Sequence, residues 1–347
     1  MRLPSRLVAN VAIAGVAILL CLVIAELVVR AFVLARSVGP SFTTYDPAYG
    51  KVLKPGSSIT RITPEFTMRL TTNSRGFRGP ELGSLDGGSI LFVGDSFTMG
   101  YGVTDGEEYP AIVRQAIANC IPSPGLEVVN AGIGDNGTGR VIKFLRNDAA
   151  QLKPRFVVLQ IHANDFEDNV SERLYELADS GELLELALPP PGIGRALQRL
   201  IESVPGLAYS HLVGLTRQLR VPKAGGAEAN TSPEAQAVAK AKAKAAYEEH
   251  LMLRLLTEVV RITNEAQWQL LVVLADVPRI RHTLLEGFFA ERGVTTLSIA
   301  TKEERPDLYF KIDGHWNAKG QAYVADRVLQ ALRLLSRGMQ SSCQRGG

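Results

Sequence analysis

The sequence predicts an α/β fold in which helices cover both faces of a parallel sheet. Short apolar runs rich in β-branched residues alternate with segments of helical periodicity along most of the chain. This alternation is typical of a parallel sheet that is buried on both faces. The predicted strands are Ser89–Val93, Leu126–Val129, Phe156–Ile161, Leu270–Leu274 and Val294–Ile299. The predicted helices include Tyr109–Asn119, Arg140–Leu152 and Asn317–Leu335.

The composition is that of a globular protein without a strongly charged partner. Of the 347 residues, 46% are hydrophobic and 21% are charged, which is typical of folded proteins. The 38 basic and 35 acidic residues nearly balance, at a net charge of +3, and this argues against nucleic acid as a partner. The cysteines lack zinc-site spacing, and the sequence has no Gly-Lys-Ser/Thr phosphate loop and no His-Glu-x-x-His motif. We therefore expect neither a metal nor another cofactor.

The N-terminus predicts one transmembrane helix. The stretch Val8–Val29 is apolar apart from Asn10 and Glu26, and about 20 apolar residues cross the hydrocarbon core of a bilayer. The first six residues resemble the start of an export signal, which predicts a single-pass membrane protein with an extracytoplasmic catalytic domain. A cleaved signal peptide is the alternative. Its apolar core is normally only about 7–15 residues long, and Val33-Leu34-Ala35 is a poor cleavage site, so an uncleaved anchor is favoured.

The three cysteines fall in different parts of the predicted membrane topology. Cys21 lies inside the predicted span, whereas Cys120 and Cys343 would both be extracytoplasmic, where a disulfide can persist. The pairing of Cys120 with Cys343 does not follow from the sequence, and two free thiols remain the alternative.

Three regions are expected along the chain. Residues 1–36 form the membrane anchor, and residues 37–85 form a connector with a short β-hairpin, indicated by alternation from Ile59 to Leu70. Residues 86–340 form the main domain. A helical insertion at about 170–267 interrupts its strand–helix rhythm and is either a lid over a site or a surface elaboration.

Polar side chains follow the predicted strands at one edge of the sheet. Asp95 and Ser96 follow the first strand, and Asn164 follows the third. Asp313 and His315 precede the last helix. Because ligands bind beyond the carboxyl ends of parallel strands, these groups are expected to converge.

This set matches the needs of acyl transfer. A serine hydroxyl is a weak nucleophile until a base removes its proton, and His315 can act as that base for Ser96 near neutral pH. Asp313 can accept a hydrogen bond from the other ring nitrogen. The oxyanion needs fixed donors, available from the Ser96 N–H, a backbone N–H in the turn Gly132–Asp135, and the Asn164 side chain.

The ordered motifs carry a family resemblance. Gly94-Asp95-Ser96-Phe97, Asn130-Ala131-Gly132, Asn164-Asp165 and Asp313-x-His315 resemble the blocks of the SGNH (GDSL) hydrolase superfamily over about residues 86–335. The resemblance implies a flavodoxin-like three-layer α/β/α sandwich and hydrolysis of esters, often of acyl groups on sugars or lipids. It also implies that Ser96 is both nucleophile and oxyanion donor, that Asn164 is the side-chain donor, and that Asp313 and His315 complete the triad.

The sequence departs from the family pattern at three places. Asp313 precedes His315 by two residues rather than the usual three, so a contact requires a tight turn. His162 replaces the glycine of the usual Gly-x-Asn-Asp block. In the second block either Gly134 or Asp135 can hold the donor position, and we assign Gly134.

The expected function is that of a serine esterase acting on O-acyl, above all O-acetyl, groups of an extracytoplasmic glycan or lipid. An O-acyltransferase of an exopolysaccharide with the same triad is the first alternative, in which a sugar hydroxyl replaces water. A non-catalytic glycan-binding or scaffold subunit is the second, although such a module has no need of a Ser-His-Asp set. The expected partners are an acylated carbohydrate or lipid substrate and, through the N-terminal helix, a membrane.

Overall fold

The computed structural model describes residues 5–32, 37–120, 125–188, 192–220 and 234–335. Two features of the sequence lie outside these ranges: the cleavage stretch Val33-Leu34-Ala35 and Cys343. The described helices are α1 (Ser5–Phe32), α2 (Ser96–Met99), α3 (Tyr109–Cys120), α4 (Thr138–Asn147), α5 (Asp165–Glu172), α6 (Ile193–Ser203), α7 (His211–Arg220), α8 (Glu234–Glu265), α9 (Arg279–Ala290) and α10 (Ala318–Leu335). The described strands are β1 (Thr43–Thr44), β2 (Val52–Leu53), β3 (Ser58–Ile62), β4 (Thr67–Thr71), β5 (Ser89–Val93), β6 (Glu127–Asn130), β7 (Pro154–His162), β8 (Tyr175–Leu177), β9 (Leu183–Glu185), β10 (Gln269–Ala275) and β11 (Thr295–Ser298).

A five-stranded parallel sheet forms the centre of the main unit. Its strand order is β11-β10-β7-β5-β6, and every neighbouring pair is parallel. Counted in chain order, this is the 2-1-3-4-5 arrangement of a flavodoxin-like fold, in which the strand order reverses between the first and third strands. The predicted α/β class, with its parallel sheet covered by helices, is confirmed.

Both faces of the sheet are buried because successive residues of each strand point to opposite sides. In β5, Leu91 and Val93 belong to a core that also contains side chains of α4, α5 and α8. Ile90 and Phe92 belong to a second core with α3 and α10. Every residue of β5 is therefore buried, which explains why the strand is a continuous apolar run rather than an alternating one.

The segment predicted as one helix over Arg140–Leu152 differs in the structure. Helix α4 ends at Asn147, and a separate 3-10 turn covers Ala149–Leu152. The residue between them, Asp148, leaves helical geometry, and its carboxylate accepts a hydrogen bond from the Tyr49 hydroxyl. The turn then ends at Lys153 with φ of +47°, which redirects the chain into β7.

The chain divides into two compact units. One contains Met1–Ser41, Thr60–Phe66 and Pro191–Ala229, and the other contains Phe42–Ile59, Thr67–Pro190 and Asn230–Gly347. The sheet and the predicted site residues belong to the second unit, as does an antiparallel pair of strands, β8 and β9. In the first unit, Ala9–Phe32 of α1 forms a helix long and apolar enough to cross a membrane.

Candidate active site

Ser96 lies in the turn from β5 into α2, at the carboxyl edge of the sheet. Gly94 has φ of +150°, and a Cβ there would lie 2.6 Å from Oε1 of Gln160, so the turn requires glycine. The Asp95 carboxylate accepts a hydrogen bond from the Phe97 N–H at 2.8 Å and caps α2. This turn places Ser96 at the first position of α2, where the residue is half-buried.

His315 reaches Ser96 from the far end of the chain. Its Nε2 lies 2.7 Å from Oγ of Ser96, across 219 positions of sequence. Its other ring nitrogen, Nδ1, lies 2.5 Å from Oδ1 of Asp313. A hydroxyl, an imidazole and a carboxylate thus form one connected line, which is the geometry a serine needs to lose its proton to a base.

A tight turn makes the short Asp313–His315 spacing possible. Gly314, between the two, has φ of +89°, a left-handed conformation that favours glycine. The backbone N–H of Phe310 donates to the carbonyl oxygen of His315 at 2.8 Å and closes the turn. The two-residue gap, which departs from the family pattern, therefore still brings the carboxylate to the imidazole.

Aromatic rings surround the His315 side chain. The rings of Phe97 and His315 lie 4.8 Å apart, and those of Tyr101 and His315 lie 5.0 Å apart. Phe97 also stacks on His162 at 4.6 Å and meets the fully buried Trp316 edge-on. These contacts restrict the imidazole to few orientations.

The turn after β6 lies beside Ser96. A Cβ on Gly134 would be 3.7 Å from Cβ of Ser96. The next residue, Asp135, has φ of +50°, a conformation that costs a non-glycine residue about 1–3 kcal/mol. Lys51 reaches this turn from the connector, and its Nζ donates to the carbonyl oxygens of Gly134 at 2.7 Å and of Asp135 at 2.8 Å.

The Lys51 contact controls the direction of a backbone N–H. In a trans peptide the C=O and the following N–H point in opposite directions, so Lys51, by binding the Gly134 carbonyl, fixes the Asp135 N–H on the other side. Burial lowers the pKa of Lys51. Arg140 holds the Lys51 backbone in place, because its guanidinium donates to the Lys51 carbonyl at 3.2 Å and to the Glu172 carboxylate at 2.6 Å.

Asn164 directly precedes α5, after the end of β7. Its Oδ1 pairs with Nδ1 of His162, and its Nδ2 donates to Oδ2 of Asp168 at 2.8 Å. The amide plane is thus held at both ends. His162, which stands where the family pattern has glycine, takes part in this arrangement directly.

Several buried or partly buried carboxyl groups lie near Asn164. Burial, followed by the neighbouring Glu172 and Asp135 carboxylates, raises the pKa of Asp168 to about 7. Burial also raises the pKa of Asp95 and, with the Asp95 charge, that of Asp165. Asp168 therefore retains its proton at pH values where exposed carboxyls are fully ionised.

A cleft of about 1190 Å³ borders the site on the side of His162. It is formed by the segments that follow β7, β10 and β11. Asp276, Arg279, Lys302 and Glu303 are among the side chains that line it. The cleft lies at the edge of the sheet where parallel folds bind their ligands.

In the structure, His315 contacts both Ser96 and Asp313. Gly134 lies beside Ser96. Asn164 is at the same sheet edge, with its amide engaged by His162 and Asp168. Lys51 and Asp168 were not predicted from the sequence. Asp168 follows Asn164 by four residues, the spacing at which side chains meet on a helix, and this is a signal for the second. Lys51 lies in a connector without any motif.

The contact between Ser96 and His315 lies where the strand order of this flavodoxin-like sheet reverses. This combination of fold and site is that of a serine hydrolase acting on ester bonds. The chain belongs to the GDSL-like Lipase/Acylhydrolase family, whose profile matches residues 92–270. The matched range contains Ser96, Gly134 and Asn164 and ends before Asp313 and His315. The predicted superfamily is confirmed.

Similar solved structures are esterases and lipases of low sequence identity. The psychrotrophic esterase EstA from Pseudoalteromonas sp. is 13% identical, with 72% of this chain and 98% of that chain covered and a TM-score of 0.41. The acetylxylan esterase Axe2 from Geobacillus stearothermophilus is 16% identical, with 70% and 93% covered and a TM-score of 0.40. A GDSL-like lipase from Bacteroides thetaiotaomicron is 11% identical, with 74% and 93% covered and a TM-score of 0.40. No curated protein matches the chain.

Proposed function

We propose that this serine hydrolase removes short O-acyl groups, above all O-acetyl groups, from an extracytoplasmic glycan or lipid. Ser96 is the nucleophile, His315 the general base and acid, and Asp313 the group that orients the imidazole. The observation that carries the proposal is the 2.7 Å contact between Oγ of Ser96 and Nε2 of His315. At this distance a proton can pass between the two atoms.

The reaction follows from these positions. As Oγ of Ser96 bonds to the ester carbonyl carbon, its proton moves to Nε2 of His315 and the carbonyl π electrons move to oxygen. The tetrahedral intermediate collapses when the bond to the leaving alcohol breaks, and His315 returns the proton to that alcohol. Water, deprotonated by His315, then attacks the acyl-enzyme, and collapse of the second intermediate restores Ser96 and releases the carboxylic acid.

Three donors stabilise the oxyanion in this proposal. They are the backbone N–H of Ser96, a backbone N–H at Gly134, and the side-chain amide of Asn164. The hydrogen bonds of Asn164 to His162 and Asp168 support a fixed amide, since a donor that is oriented in advance stabilises developing charge without reorganising.

The cleft beside the site favours a polar leaving group. The neighbouring cleft is large enough for an oligosaccharide and offers charged side chains such as Arg279 and Lys302 that hydrogen-bond hydroxyl groups.

We also propose that the chain is a single-pass membrane protein. Residues 1–36 serve as the anchor, 37–85 as the connector, and 86–340 as the hydrolase domain with an insertion at about 170–267. The length and apolarity of α1 support the anchor. An alkaline phosphatase fusion after residue 40 should be active, and a silent fusion would place the domain in the cytoplasm.

The enzymatic proposal is tested by ester hydrolysis with the full chain in detergent. We expect turnover of p-nitrophenyl acetate, lower kcat/KM for longer acyl chains, and loss of turnover in Ser96→Ala. Ser171→Ala, which changes a hydroxyl on the exposed side of α5, should keep wild-type rates. Preference for long acyl chains would overturn the assignment of short groups, while equal activity in Ser96→Ala would overturn the mechanism.

A further inference from the structure

Helix α6 leaves large apolar side chains exposed although polar side chains on another of its faces are half-buried. Leu197 and Leu200, three residues apart and so on one face of the helix, are 38% and 62% exposed, and Val204, directly after the helix, is 45% exposed. Arg195, Gln198 and Glu202 are half-buried, and Glu202 accepts a hydrogen bond from the backbone N–H of Ser41, in the same compact unit, at 2.8 Å. A helix whose outer side faces water normally exposes its polar side chains and buries its apolar ones.

The apolar surface continues beyond the helix. Leu207 and Tyr209, in the 3-10 turn between α6 and α7, are 38% and 39% exposed. Contiguous apolar patches on a protein surface mark contact with another protein or with a membrane. We refer to Leu197, Leu200, Val204, Leu207 and Tyr209 as the apolar stripe.

Glu26 ties this region to the apolar helix α1. Its carboxylate accepts hydrogen bonds from the Ser210 hydroxyl at 2.7 Å and from the backbone N–H groups of His211 at 2.8 Å and Leu212 at 2.9 Å. These are the donors left open at the start of α7, so a residue of α1 caps α7. The contact also explains why a carboxylate stands in an otherwise apolar segment.

The position of Glu26 along α1 sets the depth of the stripe. The 24 residues Ala9–Phe32 extend over about 36 Å at about 1.5 Å per residue, which exceeds the roughly 30 Å hydrocarbon core. Glu26 lies about 9 Å from the end of this segment by the same rise. A helix that spans the core therefore holds Glu26 about 3–6 Å inside the edge of the hydrocarbon core. The start of α7, and with it the turn from α6, then lies near the boundary between the headgroups and the acyl chains.

We propose that α6 and the following 3-10 turn lie in the surface of the same bilayer that α1 crosses, with the apolar stripe inserted among the lipids. This rests on α1 being a membrane anchor, as proposed above. The occupant is lipid rather than a partner protein because Glu26 fixes the stripe next to a segment that is itself surrounded by lipid. Amphipathic helices bind in this way, with the apolar face at the boundary between headgroups and acyl chains.

Depth-dependent fluorescence quenching tests the proposal with the full chain in vesicles of phosphatidylethanolamine and phosphatidylglycerol. A bimane label is placed on a single cysteine at L200C or R199C, neighbouring exposed positions on different faces of α6, after Cys21, Cys120 and Cys343 are changed to serine. A third sample keeps only the natural Cys21, in the middle of α1. The quenchers are lipids with a nitroxide either near the headgroup or near the end of the acyl chain.

We expect the L200C label to be quenched several-fold more strongly than the R199C label, and most by the shallow nitroxide. The Cys21 label should be quenched most by the deep nitroxide. Equal, weak quenching at Leu200 and Arg199 with strong quenching at Cys21 would overturn the proposal and leave the anchor intact. A Leu200 label shielded from both nitroxides and from aqueous iodide would overturn it in favour of a protein partner. Absence of quenching at Cys21 would instead refute the anchor.

Discussion

Lys51 donates to the carbonyl oxygen of Gly134 at 2.7 Å and so joins the connector to the turn beside Ser96. The family profile begins at residue 92, so this lysine comes from outside the matched region. A second bond goes to the Asp135 carbonyl at 2.8 Å. The two bonds together hold two consecutive peptide groups. The connector is therefore part of what shapes the proposed oxyanion site.

Changing Lys51 to Met should lower kcat for ester hydrolysis about tenfold, or about 1.4 kcal/mol in the activation free energy, with little change in KM. The reason is that the turn carrying the proposed Gly134 N–H donor loses the ammonium that holds its Gly134 and Asp135 carbonyls, while the substrate cleft remains intact. Lys51→Arg should restore part of the rate, and Lys153→Met, on an exposed side chain, should leave it unchanged. A wild-type kcat in Lys51→Met would show that the turn holds its shape without the ammonium.

Changing Asp313 to Asn should reduce kcat by about 10²–10⁴, because an amide no longer stabilises the imidazolium and favours the wrong tautomer. Asp307→Asn is a matched control, since Asp307 is an exposed carboxylate paired with Arg305 and Lys319. Steady-state kinetics of both variants decide the matter. If the two lose activity to the same small extent, Asp313 does not belong to the triad.

The raised pKa of Asp168, about 7 against an ordinary value of 3.8, predicts a specific pH dependence of stability. In the folded protein this carboxyl keeps its proton up to about pH 7, whereas in the unfolded chain it ionises near about pH 4. Between these values the unfolded state binds fewer protons, so the contribution of Asp168 to the free energy of unfolding falls as the pH rises.

Asp168→Asn removes this titration and should flatten the fall in Tm between about pH 5 and pH 8 relative to wild type. The variant should be the more stable of the two at the upper end of that range. Asp326→Asn, on an exposed residue of α10, should follow the wild-type curve. Parallel curves for wild type and Asp168→Asn would contradict the assigned pKa.

Changing Gly94 to Ala should destabilise the fold by about 1–3 kcal/mol, because the backbone conformation at φ of +150° disfavours a side chain. The new Cβ would also lie 2.6 Å from Gln160 Oε1 and 2.7 Å from Thr98 Oγ1. Gly287→Ala, in α9 with nothing within 4 Å of the new Cβ, should instead stabilise by roughly 0.5–1 kcal/mol. Denaturant unfolding of both variants measures the contrast, and a neutral Gly94→Ala would mean that the turn before Ser96 relaxes freely.

The fold was predictable because its signals are local. The strand β5 has the predicted bounds, Ser89–Val93, since a fully buried strand is a continuous apolar run with a glycine at its end. The break of α4 at Asp148 was not predicted, and the hydrogen bond found there comes from Tyr49, 99 residues earlier in the chain. The helical periodicity of the sequence continues through Asp148, so it does not indicate where the helix ends.

The site was predictable only in part, for a related reason. The order of the sequence blocks brings Ser96 and His315 to one edge of the sheet by topology, and the structure places them in contact. Nothing in the sequence marks Lys51 as a site residue, because a lysine in a connector is ordinarily a solvated charge. Only the folded chain shows the two carbonyls that it binds. The outward apolar face of α6 is equally invisible in the sequence, since periodicity identifies an amphipathic helix without telling which face is covered.

The nucleophilic role of Ser96 is tested most directly by covalent trapping with a fluorophosphonate followed by peptide mass spectrometry. An activated serine attacks phosphorus and displaces fluoride, whereas an ordinary serine does not react. We predict one phosphonylated peptide, modified at Ser96, that is absent in Ser96→Ala and strongly diminished in His315→Ala. A folded wild-type protein that remains unlabelled, or a label on any other serine, would contradict the account.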